Sequence, residues 1–127
     1  MKCLKLVVKK LNVLLFIGAL SLSGGGASLA EPVSNSSHLV QQVRAMVNGD
    51  VYIYLDVIPT FTIDGVSQTF CNTSVFRIKA LELGADQMHS VALAALMASK
   101  KVRVEISTST GCTDWGTQLG SIFIKAN

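Results

Sequence analysis

Proline occurs only twice in the 127 residues and aromatic side chains make up 6%, which excludes a proline-rich linker or a collagen-like chain. A spanning helix needs about 20 apolar residues, and the run from Leu11 to Leu22 reaches 12. Histidine also occurs twice: His38 falls near the start of the main domain, and His89 falls in a helical turn with no serine or cysteine nucleophile motif beside it. The carboxylates are dispersed, with Asp50 and Asp64 in turns, Asp86 at a helix start and Asp56 alone facing out from a strand, so no acid/base pair emerges from the spacing. No glycine-rich phosphate loop, internal repeat or low-complexity tract is present. The length allows one domain rather than separate cofactor and substrate domains. These absences predict a protein that is not an enzyme and holds neither cofactor nor metal.

The N-terminus carries the clearest pattern. Lys2, Lys5, Lys9 and Lys10 precede the apolar run, and Gly24 to Ala30 ends in small residues with Ser28 and Ala30 at the positions a signal peptidase reads. This predicts a signal peptide over 1–30, cleaved after Ala30, and a protein that is periplasmic or secreted, with no membrane span in its mature form. A retained anchor is the alternative, disfavoured by the short apolar run. Cys3 lies at the wrong end for a lipoprotein signal.

Removal of 1–30 changes the charge reading. The whole chain has a formal charge of +3, but the remainder has seven Lys and Arg against all eight Asp and Glu, a net −1. The basicity belongs to the leader, and attraction to nucleic acid loses its main support. Cys71 and Cys112 remain as an even pair in an exported domain, which predicts a disulfide. A metal site built from these cysteines with His38 and His89 lacks paired ligand spacing.

In the mature chain, 31–38 is polar, contains Pro32 and reads as a flexible leader, followed by a single domain over 39–127. Val43, Ala45 and Val47 alternate with polar or exposed neighbours, and Asn48-Gly49-Asp50 supplies a hairpin turn. Val51, Ile53, Leu55 and Val57 then share one strand face, opposite Tyr52, Tyr54 and Asp56. Asp64-Gly65 marks a second, small hairpin. Phe76 and Ile78 point inward from a third strand over 74–80, with Arg77 and Lys79 outward. From Leu83 to Lys100 the period becomes helical, with Asp86 as N-cap and Met88, Val91, Ala92, Ala95 and Leu96 as the buried stripe. Val102, Val104 and Ile106 make a fourth strand, 108–118 a loop, and Ile122 and Ile124 the buried positions of a fifth.

Three strands, a helix and two strands predict a mainly β fold, a five-stranded OB-fold-like Greek-key barrel with its helix between strands three and four. The alternative is an open antiparallel α+β sandwich. The runs Asn48 to Asp56, Phe70-Cys71-Asn72, Val91 to Val104 and Gly111-Cys112 resemble a group of small exported bacterial OB-fold proteins related to the subtilase cytotoxin B subunit. The resemblance spans nearly all of the mature chain. It implies a disulfide-bonded barrel, assembled as a homopentamer, that recognises glycans, with the helix lining the channel of the assembly.

On such a barrel the outer face of strands two and three is the usual binding surface. Here it carries Tyr52 and Tyr54 beside Arg77 and Lys79, with Asp114 and Trp115 on the last loop. Tyrosines beside cations stack either sugar rings or bases, and a carboxylate accepts hydroxyl protons; the plainer reading is that these are ordinary strand residues and that Trp115 covers the disulfide. Leu93 and Met97 lie off the buried stripe and mark an oligomer or partner surface. The expected function is a glycan-recognising, toxin B-subunit-like binding module; the alternative is a cell-envelope structural or interaction protein with a protein partner.

Overall fold

A computed structural model of the chain describes residues 31–113 and 116–126; the expected signal peptide, Asp114 and Trp115 lie outside them. Alternation of apolar and polar residues produces most of the sheet. Strands β1 (His38–Ala45) and β2 (Val51–Leu55) pair antiparallel, and β2 pairs in turn with β5 (Val75–Ile78). β6 (Lys101–Ile106) lies antiparallel to both β1 and β8 (Gly116–Ile124). A parallel pairing of β5 with β8, Phe76 opposite Thr117 and Arg77 opposite Gln118, closes the ring. The result is the expected five-stranded OB-fold-like barrel, and its closure excludes the open sandwich.

Between β2 and β5, the strands β3 (Thr60–Ile63) and β4 (Val66–Thr69) form the expected hairpin around Asp64 and Gly65, whose φ values of 52° and 77° make a primed turn. The two-residue β7 (Cys112–Thr113) pairs with the head of β8. Helix α1 (Ala85–Ala98) joins the third and fourth barrel strands, as expected. Its Met88, Ala92 and Ala95 are buried, Val91 and Leu96 flank them, and this stripe packs on β1, β5 and β8.

The core is aliphatic with two aromatics. Ile53, Phe76, Ile78, Val102, Val104, Ile106 and Leu119 are buried inside the barrel. Phe61 of β3 joins them, its ring tilted against Phe76 at a centroid distance of 6.5 Å. Cys71 and Cys112 form the disulfide, with Cα atoms 5.3 Å apart, and tie the approach to β5 to the approach to β8. Gly116 sits where β8 meets β5: a Cβ there would stand 2.6 Å from the Val75 carbonyl oxygen, and its φ is 120°, so only glycine fits.

Several expectations are corrected. Val47 and Val57 are exposed because β1 and β2 end before them. Ile124 is exposed too: it keeps the register of Ile122 and lies opposite Val102, but as the last residue of β8 it is left partly uncovered. Leu119 and Ile122, three apart, both face inward because the β6–β8 register shifts between Glu105 and Ile106. A similar shift after Val40 lets Val40 and Val43 both face the core. Asp86 is not the N-cap; Gly84 is, and Asp86 places its carboxylate in the first turn, at the positive end of the helix. Leu83 lies outside the helix altogether.

Residues 31–38, expected as a flexible leader, are bound to the barrel. β1 pairs with β6 only at His38 and Leu39, which leaves the rest of that edge of β6 uncovered by β1. The leader fills the gap: Ser34 N–H donates to Val104 O at 2.8 Å, Ile106 N–H donates to Pro32 O at 3.1 Å, and Val33 bridges Glu105. Ser34 is fully buried, and its hydroxyl accepts Val104 N–H while donating to Ser36 O. Unpaired backbone on a strand edge is costly when buried, so this polar segment is held by the edge it satisfies.

Candidate functional site

The turn between β1 and β2 is the foundation of the site. Gly49 takes φ 87°, and a Cβ there would lie 2.9 Å from Ala80 Cβ, so the turn rests directly on the chain leaving β5. Asp50, 5% exposed, reaches into this junction. Its Oδ1 accepts the Ala80 N–H at 3.0 Å, and its Oδ2 accepts Arg77 Nε at 2.9 Å, Arg77 Nη2 at 2.5 Å and Asn48 Nδ2 at 3.1 Å. The Ala80 amide, then the Arg77 guanidinium and Asn48, hold the Asp50 carboxyl below the usual carboxylate range against the opposing effect of burial.

This network fixes Arg77 on the outer face of the barrel. In register, Arg44 of β1 lies opposite Tyr52 of β2, and Tyr52 lies opposite Arg77 of β5. The tyrosine therefore stands between two guanidinium-bearing strands. Tyr54, two residues on, shares its face about 7 Å further along the strand and lies opposite Gln42 and Val75. Arg44, Met46, Asn48, Asp50, Tyr52, Tyr54 and Arg77 line an open groove of about 450 Å³. The groove offers two half-buried phenol rings, a fixed guanidinium and an amide, with Arg44 exposed at its side.

Of the residues singled out from sequence, Tyr52, Tyr54 and Arg77 come together here. Lys79 follows β5, half-buried, and does not line the groove. Asp114 and Trp115 fall outside the described residues. Leu93 and Met97 are exposed on the helix face away from the barrel, Met97 at 84%. Four groove residues went unforeseen as site residues: Arg44, Met46, Asn48 and Asp50. Arg44 was accessible to pattern reading, since it is the outward residue of the strand before the turn. The pairing of Asp50 with Arg77 was not, because a turn aspartate satisfies a local rule without it. Among the described residues no group of three or more His, Cys, Asp or Glu is placed to hold a metal ion, and no helix is long and apolar enough to cross a membrane. No protein-family model, curated protein or solved structure shows a significant match to the chain.

Proposed function

We propose that the chain is an exported, disulfide-bonded binding module that takes a saccharide on the Tyr52–Tyr54 groove. The observation that carries this reading is the placement of Tyr52 between Arg44 and Arg77, with Arg77 already neutralised by Asp50. A sugar ring has an apolar face that packs on an aromatic ring and a rim of hydroxyls that pair with guanidinium, amide and carboxylate groups. Nucleic acid fits less well: phosphate binding needs several unpaired cations, and of the two arginines lining the groove one is ion-paired within the barrel. The test is a broad glycan array followed by calorimetry with Tyr52→Ala and Tyr54→Ala. Signal that disappears in both variants supports the reading; silence across the array removes it.

The resemblance to the subtilase cytotoxin B subunit group adds a pentamer, in which weak single sites gain avidity. The exposed Leu93 and Met97 are the surface proposed for that contact, and sedimentation of wild type against Met97→Lys tests it. Export rests on the N-terminal pattern and on the disulfide; the processed protein should begin at Glu31.

A second reading, a protein-docking role in the cell envelope, is favoured by Leu81 and Leu83, which stand 100% and 98% exposed in the loop before α1. Photo-crosslinkers at these two positions should then capture one defined envelope protein. Absence of any discrete adduct argues against docking there.

A further inference from the structure

At the opposite end of β1 from the tyrosine groove, the fold assembles three side chains that no spacing rule connects. Ser36 Oγ lies 3.1 Å from His38 Nε2, and His38 Nδ1 faces Asp56 Oδ1 at 3.6 Å. Each is held by the backbone. Ser36 is braced by the Ser34 hydroxyl, which donates to its carbonyl. His38 opens β1 opposite Val102 and is 4% exposed. Asp56 Oδ1 accepts the Leu39 N–H at 3.1 Å, while its own N–H donates to Leu39 O. Ser36 itself is exposed, on the wall of a groove of about 440 Å³ that it shares with Ser37, Lys101, Lys125 and Ala126.

The order hydroxyl, imidazole, carboxylate is the arrangement that activates a serine: the carboxylate orients the ring, and the free ring nitrogen accepts the hydroxyl proton. Looser contacts than in a reacting complex are usual before substrate binds. Burial holds the His38 pKa below its ordinary value and Lys101 acts in the same direction, against the opposing charge of Asp56. The ring is therefore neutral at pH 7, the state a base requires.

We infer that Ser36 is a nucleophile with His38 as its general base and Asp56 as a positioning residue, and that the adjoining groove takes a small acyl ester. Ser36 Oγ bonds to the acyl carbon as its proton moves to His38 Nε2. The ester C–O bond then breaks, and the departing alcohol takes that proton. Water attacks the acyl-serine next, giving a proton to His38, and its collapse returns that proton to Ser36 and releases the carboxylic acid. The ammonium groups of Lys101 and Lys125 are the cations lining the groove that offset charge on the oxyanion.

The probe is a fluorophosphonate on the folded, oxidised protein. Ser36 Oγ bonds to phosphorus, the P–F bond breaks, and fluoride departs with the proton His38 has accepted. Peptide mapping should place one adduct on Ser36. Ser36→Ala, which removes an exposed hydroxyl, should abolish it, while Ser90→Ala, which removes an exposed hydroxyl on α1 that lines neither groove, should leave it unchanged. The labelling rate should rise to a plateau with a midpoint below 6.5. Asp56→Asn should move that midpoint lower still and also reduce the plateau rate, because the ring loses the group that orients it; loss of charge alone would shift the midpoint and leave the plateau. His38→Gln should slow labelling by about 100-fold or more. Absence of an adduct on Ser36, equal labelling of Ser36 and Ser37, or a rate that climbs with hydroxide without a plateau each overturns the proposal. If His38→Gln fails to fold, the wild-type profile and Ser36→Ala decide.

Discussion

Asp50 and Arg77, 27 residues apart, form the ion pair on which the tyrosine groove is built, and the carboxylate also caps the Ala80 amide. The two partners are therefore unequal. Asp50→Ala leaves a partly buried guanidinium and an amide unpaired, whereas Arg77→Ala leaves a carboxylate that keeps Ala80 and Asn48. Asp50→Ala should cost about 3 kcal/mol and Arg77→Ala about half as much, measured by urea denaturation. Equal costs would contradict the network.

The pH dependence of stability should show two steps, both in acid. His38 has a lowered pKa when folded, so the unfolded chain binds its proton more readily; stability is full above 6.5 and declines as pH falls below it. Asp50 is lowered from 3.8 in the same sense, so its contribution is present above that value and is lost as pH falls further. Thermal melts from pH 8 to 3 should decline in these two windows, and Asp50→Asn should remove the lower one.

Reduction should be severe. A crosslink closing 41 residues constrains the unfolded chain by about 4 kcal/mol. The Cys71→Ala/Cys112→Ala double variant should lose that amount in chemical denaturation, a large part of what holds so small a barrel.

Gly116→Ala should be the most damaging small substitution. The added methyl meets the backbone of Val75 rather than a flexible side chain, at a φ that penalises any other residue. A loss on the order of 3 kcal/mol is expected, read as a drop in melting temperature; a neutral outcome would mean that β5 and β8 are further apart.

Tyr54→Ala should weaken saccharide binding about tenfold or more, on the scale of a lost stacking contact, with little change in stability because the ring is half-buried on the outer face. Calorimetry and a melt on the same sample separate the two effects.

Much of the barrel was legible because strands buried on one face alternate in sequence: Val51, Ile53, Leu55 and Val102, Val104, Ile106 fall inward as the period requires. The pattern failed where the register shifts, so that Val40 with Val43 and Leu119 with Ile122 sit three apart and both face in. It also failed at 31–38, where a polar composition suggested slack chain. The segment is ordered by backbone hydrogen bonds to β6, and those carry no side-chain signature. The site divides in the same way. Tyr52, Tyr54 and Arg77 follow from alternation alone, whereas the pairing of Asp50 with Arg77 and of His38 with Asp56 depends on which strands become neighbours.

The disulfide has a kinetic consequence as well. Cys71 lies five positions before Phe76, and Cys112 lies opposite Thr117 in the β7–β8 pairing, so the crosslink sits beside the first pair of the parallel β5–β8 ladder. In a reduced chain this last seam of the barrel joins segments 41 residues apart, an entropic search that slows folding. Oxidised early, the same seam becomes a short, pre-aligned zipper. The order in which the cysteines join and the strands meet thus sets how long the unfinished barrel exposes the edges of β5 and β8 to other chains.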